Sequence, residues 1–106
     1  MKAERWLGRA EGFDFEIEDH GLPVLSGSFD GGSFSQGLGY QVDIEFIKRF
    51  LRVFGVYKLQ EVNGESCWIT NRRGNNEPII LLEPLYEKDG EAFDIEEWGR
   101  ELRKKP

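Results

Sequence analysis

Apolar and polar residues alternate strictly through Phe13-Asp14-Phe15-Glu16-Ile17-Glu18. That period of two predicts a strand with Phe13, Phe15 and Ile17 on one face. A separate first strand is expected over residues 2–9, around Trp6-Leu7, with Gly8 and Gly12 as its punctuation. Asp19-His20-Gly21 reads as a turn, because Asp initiates turns and Gly accepts positive φ. Leu22 to Phe29 then returns as the second arm of a hairpin, with Pro23 near its start, where a missing N–H is tolerated. Residues 30–39, Asp-Gly-Gly-Ser-Phe-Ser-Gln-Gly-Leu-Gly, are too rich in glycine for a helix or a packed central strand and read as a loop.

The period then changes. Ile44, Ile47, Phe50, Leu51 and Phe54 recur at helical spacing on one stripe. Asp43 stands where an N-cap belongs and Gly55 where a C′ glycine belongs. Val56 to Val62 fits one short helical turn packed by Leu59 and Val62, and Asn63-Gly64 fits a tight turn. Glu65 to Thr70 predicts a strand with Cys67 and Ile69 on one face and Trp68 on the other. Asn71 to Asn76 reads as a polar loop. Ile79-Ile80-Leu81-Leu82, between Pro78 and Pro84, predicts a strand buried on both faces. Lys88-Asp89-Gly90 reads as a turn. Asp94 and Glu97 have the spacing of a capping box for a last helix, which buries Trp98 and Leu102 and carries Arg103, Lys104 and Lys105 at its negative end. These elements assemble into one α+β domain spanning residues 1–106. It is a small antiparallel sheet of about five strands, with one central packing helix and a C-terminal helix at an edge or on the same face.

Composition changes the picture in one respect. The formal net charge is -6, from 20 acidic and 14 basic residues, and this opposes general binding to nucleic acid. An acidic surface instead suits competition for a nucleic-acid-binding site on another protein. No apolar run reaches the length of a membrane span, and the first residues lack the apolar core of a signal peptide, so a cytoplasmic protein with no membrane partner is expected.

Candidate chemistry is sparse. One cysteine, Cys67, and one histidine, His20, give neither a disulfide nor a Cys/His zinc site, and Cys67 reads as a small half-buried strand residue. Asp19, His20, Asp30 and Asp43 form the nearest thing to an acid/base or metal cluster, but Asp19 and Asp43 already have turn and cap roles. The glycine loop at Gln36-Gly37-Leu38-Gly39 lacks the ending of a P-loop, although its backbone N–H groups suit a nest for an anion. No cofactor, metal or catalytic residue is expected. Lys48, Arg49, Arg52, Arg72 and Arg73 form a basic patch only if helix and loop meet, and an outward Trp68 suits a partner contact. A homodimer through the sheet is expected, with Trp68 or Trp6 at its interface and the strand edges near Trp6 and Ser66 left unguarded.

Three stretches in order carry a resemblance: Glu18-Asp19-His20-Gly21; Gly31 to Tyr40; and Phe46 to Val56 running on to Asn63-Gly64. Together they resemble a group of small uncharacterised phage and prophage proteins with a similar turn, a glycine-glutamine-glycine loop and a helix ending in glycine-valine. The resemblance covers most of residues 13–98 and implies a phage-like origin without an assigned chemistry. The resulting expectation is a non-enzymatic protein that occupies a surface on a host protein, with an anti-CRISPR-like inhibitor as one form. Its partner-binding residues are Trp68, His20, Gln36, Arg49, Arg52, Arg72 and Arg73. The alternative is a nucleic-acid-associated phage accessory protein that uses the basic patch.

Overall fold

A computed structural model of the chain describes residues 3–17, 19–21, 23–32, 35–41, 44–72 and 78–104, with the backbone alone at 35–41 and 102–104. Asp43, Arg73 and Lys105 lie outside the described residues, as do the side chains of Gln36, Leu102, Arg103 and Lys104.

The fold is α+β. Its strands are β1 (Glu4–Ile17), β2 (Pro23–Asp30), β3 (Ser35–Gln41), β4 (Ser66–Asn71), β5 (Ile79–Pro84) and the two-residue β6 (Phe93–Asp94). They form one antiparallel sheet in the order β3-β2-β1-β4-β5-β6. Helix α1 (Ile44–Phe54) follows β3, and α2 (Ile95–Lys104) follows β6.

The two strands expected before the first turn are one. Between Glu11 and Asp14 the pairing of β1 with β2 slips by one residue, and Gly12 takes φ 63. This is a bulge that only glycine enters without strain. Asn63 holds it: the Phe13 N–H donates to Asn63 Oδ1 at 2.7 Å, and Asn63 Nδ2 donates to the Phe13 carbonyl at 3.1 Å. The Asn63-Gly64 turn thus completes the backbone bonding that the bulge interrupts.

The expected common face of Phe13, Phe15 and Ile17 is buried only at Phe13; Ile17 is 63% exposed. β1 outruns the helices, so its alternation continues past the core. From Ser35 onward the segment expected to be a glycine loop is edge strand β3, paired with β2 without a slip from Val24↔Gln41 to Asp30↔Ser35. Glycine weakens a central strand, yet an edge strand needs a partner on one side only. The β5 run is also buried on one side rather than two. Ile79 and Leu82 are buried while Ile80 and Leu81 are half-exposed, because a bulge opposite Asn71 switches the phase between them.

Both helices cover the same face of the sheet. The buried stripe of α1 is Phe46, Phe50 and Val53, flanked by half-buried Ile47, Leu51 and Phe54; Ile44, at 76% exposure, is outside it. Phe50 packs on Phe13 with ring centroids 5.1 Å apart, and Phe13 on Phe29 at 5.0 Å. Phe46 makes edge contacts with Phe93 at 5.0 Å and Trp98 at 4.9 Å, which tie α2 to α1. α1 ends at Gly55, φ 65, with Gly55 N–H donating to the Arg52 carbonyl and Val56 N–H to the Leu51 carbonyl, both at 3.2 Å. That is the paired bonding of a Schellman motif. Asp94 caps α2 by accepting the Glu97 N–H at 2.8 Å.

Candidate functional site

With both helices on one face, the other face of the sheet carries no element among the described residues. Register decides what stands there. β1 alternates between Trp6, Gly8 and Ala10 toward the helices and Arg5, Leu7, Arg9 and Glu11 away from them. Leu7 pairs with Trp68, which pairs with Glu83; Arg5 pairs with Thr70, which pairs with Leu81. These two rows across β1, β4 and β5 set Arg5, Leu7, Trp68, Leu81 and Glu83 side by side.

Trp68 is on the helix-free face, as the burial of Cys67 and Ile69 requires, and it is half-buried because Arg5 covers it. The guanidinium lies 4.3 Å from the ring centroid while its Nε donates to Glu83 Oε1 at 3.2 Å. Cation–π contact and ion pair together fix the arginine over the ring. Leu7, 44% exposed, extends the apolar surface beside it. A shallow depression of about 210 Å³ adjoins the cluster, walled by Trp68, Glu83, Leu85, Glu87 and Ala92.

Charge on this face is mixed with an acidic surplus. Arg9 Nη2 contacts Glu11 Oε1 at 2.6 Å and Asp30 Oδ2 at 3.9 Å. The hydrogen bond from Arg9 to Glu11, and then its charge, hold the Arg9 guanidinium above its ordinary pKa. Among the described strand residues of this face, two arginines, Arg5 and Arg9, stand with five carboxylates: Glu11, Asp14, Glu16, Asp30 and Glu83.

Of the remaining expected site residues, Arg73 is outside the described residues, and His20, Arg49, Arg52 and Arg72 do not join Trp68. His20 is exposed in the turn after β1, ten residues of strand beyond Leu7, or roughly 30 Å at the usual rise. Gln36 lies on the edge strand, opposite Phe29. Arg49 and Arg52 line a cleft of about 340 Å³ on the helical side with Glu45, Glu91, Asp94 and Glu97. Glu45 lies 3.6 Å from Lys48 and 3.7 Å from Arg49. Arg72 instead pairs with Glu96 of α2 at 2.7 Å. The described basic residues are therefore split between two places, each with acids beside them. Among the described residues no group of three or more His, Cys, Asp or Glu is placed to hold a metal ion.

Two further expectations change. The strand edges at Trp6 and Ser66 are not edges, because β1 and β4 pair there through Trp6↔Ile69 and Arg9↔Ser66. Trp6 lies on the helical side, where its Nε1 donates to buried Asn71 Oδ1 at 2.6 Å, so it is unsuited to a dimer interface. Cys67 is fully buried, and burial pushes its thiol up to about 12, which leaves it a packing residue. Arg5, Leu7 and Glu83 were missed as site residues. The alternation of Arg5, Leu7, Arg9 and Glu11 with Trp6, Gly8 and Ala10 carried the signal, but the glycine at position 8 hid it.

Among the described residues no helix is long and apolar enough to cross a membrane. No protein-family model matches the chain, and no solved structure matches it.

Proposed function

We propose that this chain is a non-enzymatic binding protein that occupies a basic, nucleic-acid-binding surface on another protein through the helix-free face of its sheet. The observation that carries the reading is the Arg5–Trp68–Glu83 cluster. It sets an aromatic anchor and Leu7 at the centre of a face whose surround is net acidic. Aromatic and arginine anchors dominate binding at protein interfaces, and charge complementarity selects a basic partner surface. The resemblance to phage proteins makes a host protein the natural target, with inhibition of a defence complex as the narrower form. The pairing of Arg49 with Glu45 and of Arg72 with Glu96 argues against direct nucleic-acid binding by this chain.

The test is affinity capture followed by competition. The captured partner should bind nucleic acid itself and release this protein when that nucleic acid is added. Trp68→Ala should weaken the complex by at least tenfold while leaving the circular dichroism spectrum unchanged. A complex that is insensitive to both nucleic acid and Trp68→Ala would refute the reading.

A further inference from the structure

The sheet has two ends, and they differ. At one end β6 is two residues long and runs directly into α2, which leaves little backbone to pair. The stretch of β1 beyond its pairing with β4 carries Asp14 and Glu16, charges that oppose docking of another strand. The other end is β3, seven residues long and paired with β2 on one side among the described residues. Its register runs without a bulge, and it contains neither proline nor charge. Residues 31–42 are twelve consecutive uncharged positions in a chain that is 32% charged. Charge, proline and bulge are devices that protect natural edge strands, and β3 has none of the three.

The centre of β3 also matches itself in reverse. At its centre Gly37-Leu38-Gly39 is symmetric about Leu38, flanked on both sides by uncharged residues, Ser35 and Gln36 before it and Tyr40 and Gln41 after it. Two copies related by a two-fold axis must pair antiparallel. With the axis at Leu38, Gly37 of one copy meets Gly39 of the other, Gln36 meets Tyr40, and Ser35 meets Gln41. No charge opposes a charge anywhere along the contact. Two acidic molecules therefore meet at the longest segment that adds no repulsion of its own.

We propose that β3 is the contact of a homodimer, joined by antiparallel pairing of β3 with β3 of a second copy into one continuous sheet. The two-fold axis stands perpendicular to that sheet. Both helix-free faces then point to the same side, and neither Trp68 is covered. This contact is independent of the binding role proposed above.

The experiment is light scattering over a concentration series, combined with charge substitutions at the two glycine positions. The unaltered chain should reach a dimer mass. Gly37→Asp with Gly39→Asp in one chain, and Gly37→Lys with Gly39→Lys in another, should each be monomeric, because like charges then face each other across the axis. An equimolar mixture should return to the dimer mass, which also shows that both variants are folded. Amide exchange across residues 35–41 of the unaltered chain should slow as concentration rises. A monomer mass at every concentration overturns the proposal, including the case in which β3 takes up an extended peptide instead. A dimer that persists in either charged variant, or protection of residues 35–41 that does not vary with concentration, also overturns it.

Discussion

Phe50→Ala removes a ring from the packed series Phe29, Phe13, Phe50 and Phe54. The side chain is 0% exposed and lies between Phe13, with centroids 5.1 Å apart, and Phe54, at 5.4 Å. Truncating a buried Phe to Ala costs about 3–5 kcal/mol in lost transfer energy and residual cavity. The upper part of that range applies here. The sheet beneath Phe50 and the helix that carries it are both regular elements that cannot collapse into the gap, and two ring–ring contacts go with the ring. A loss of about 4 kcal/mol is a large fraction of the roughly 5–15 kcal/mol that holds a domain of this size. With a urea slope of about 2 kcal/mol/M, the unfolding midpoint should fall by roughly 2 M. Ile44→Ala in the same helix is the control: at 76% exposure it should shift stability by less than about 0.5 kcal/mol. Equal effects of the two substitutions would refute the assignment of the buried stripe to Phe46, Phe50 and Val53.

Gly55→Ala should destabilise by at least about 1–3 kcal/mol in chemical denaturation, since a side chain is strained at φ 65 and the added Cβ would meet the Asp89 carbonyl oxygen. Asp94→Ala should cost about 1 kcal/mol by the same measurement, through loss of the bond that accepts the Glu97 N–H. Cys67 should resist a thiol reagent at neutral pH until the protein unfolds. Because its folded pKa is raised to about 12, stability should fall as pH rises from the ordinary thiol range toward that value, where the unfolded thiol ionises and the folded one does not; Cys67→Ala should flatten that part of the pH profile.

The parts of the fold that were legible in the sequence are those fixed by local chemistry. The range of α1 followed from helical spacing ended by a glycine, and Gly55 does adopt the left-handed conformation. The alternation of Cys67, Trp68 and Ile69 placed Trp68 on the correct side of β4 because period two leaves no freedom once one neighbour is buried. The Asp94 cap was visible for the same reason: the residue that accepts the Glu97 N–H stands three positions before it.

The rest depended on residues distant in sequence. Gly8 and Gly12 look like strand breaks, yet β1 continues through Gly8, which pairs with Cys67, and through Gly12, where Asn63, fifty positions beyond Phe13, supplies the hydrogen bonds that the bulge leaves open. The glycines of β3 look like a loop until β2 offers a straight partner. The candidate site was hidden in the same way. Trp68 was legible, but Arg5, 63 positions earlier, and Glu83 meet it only because β4 lies between β1 and β5. Pairing order also decides which charges matter. It gathers Arg5 and Glu83 at the aromatic ring, and it separates Arg72 from Arg49 and gives each an acidic neighbour. A site-level reading from sequence therefore fails first at the strand order, since strand order turns an outward-facing tryptophan into the centre of a charged surface.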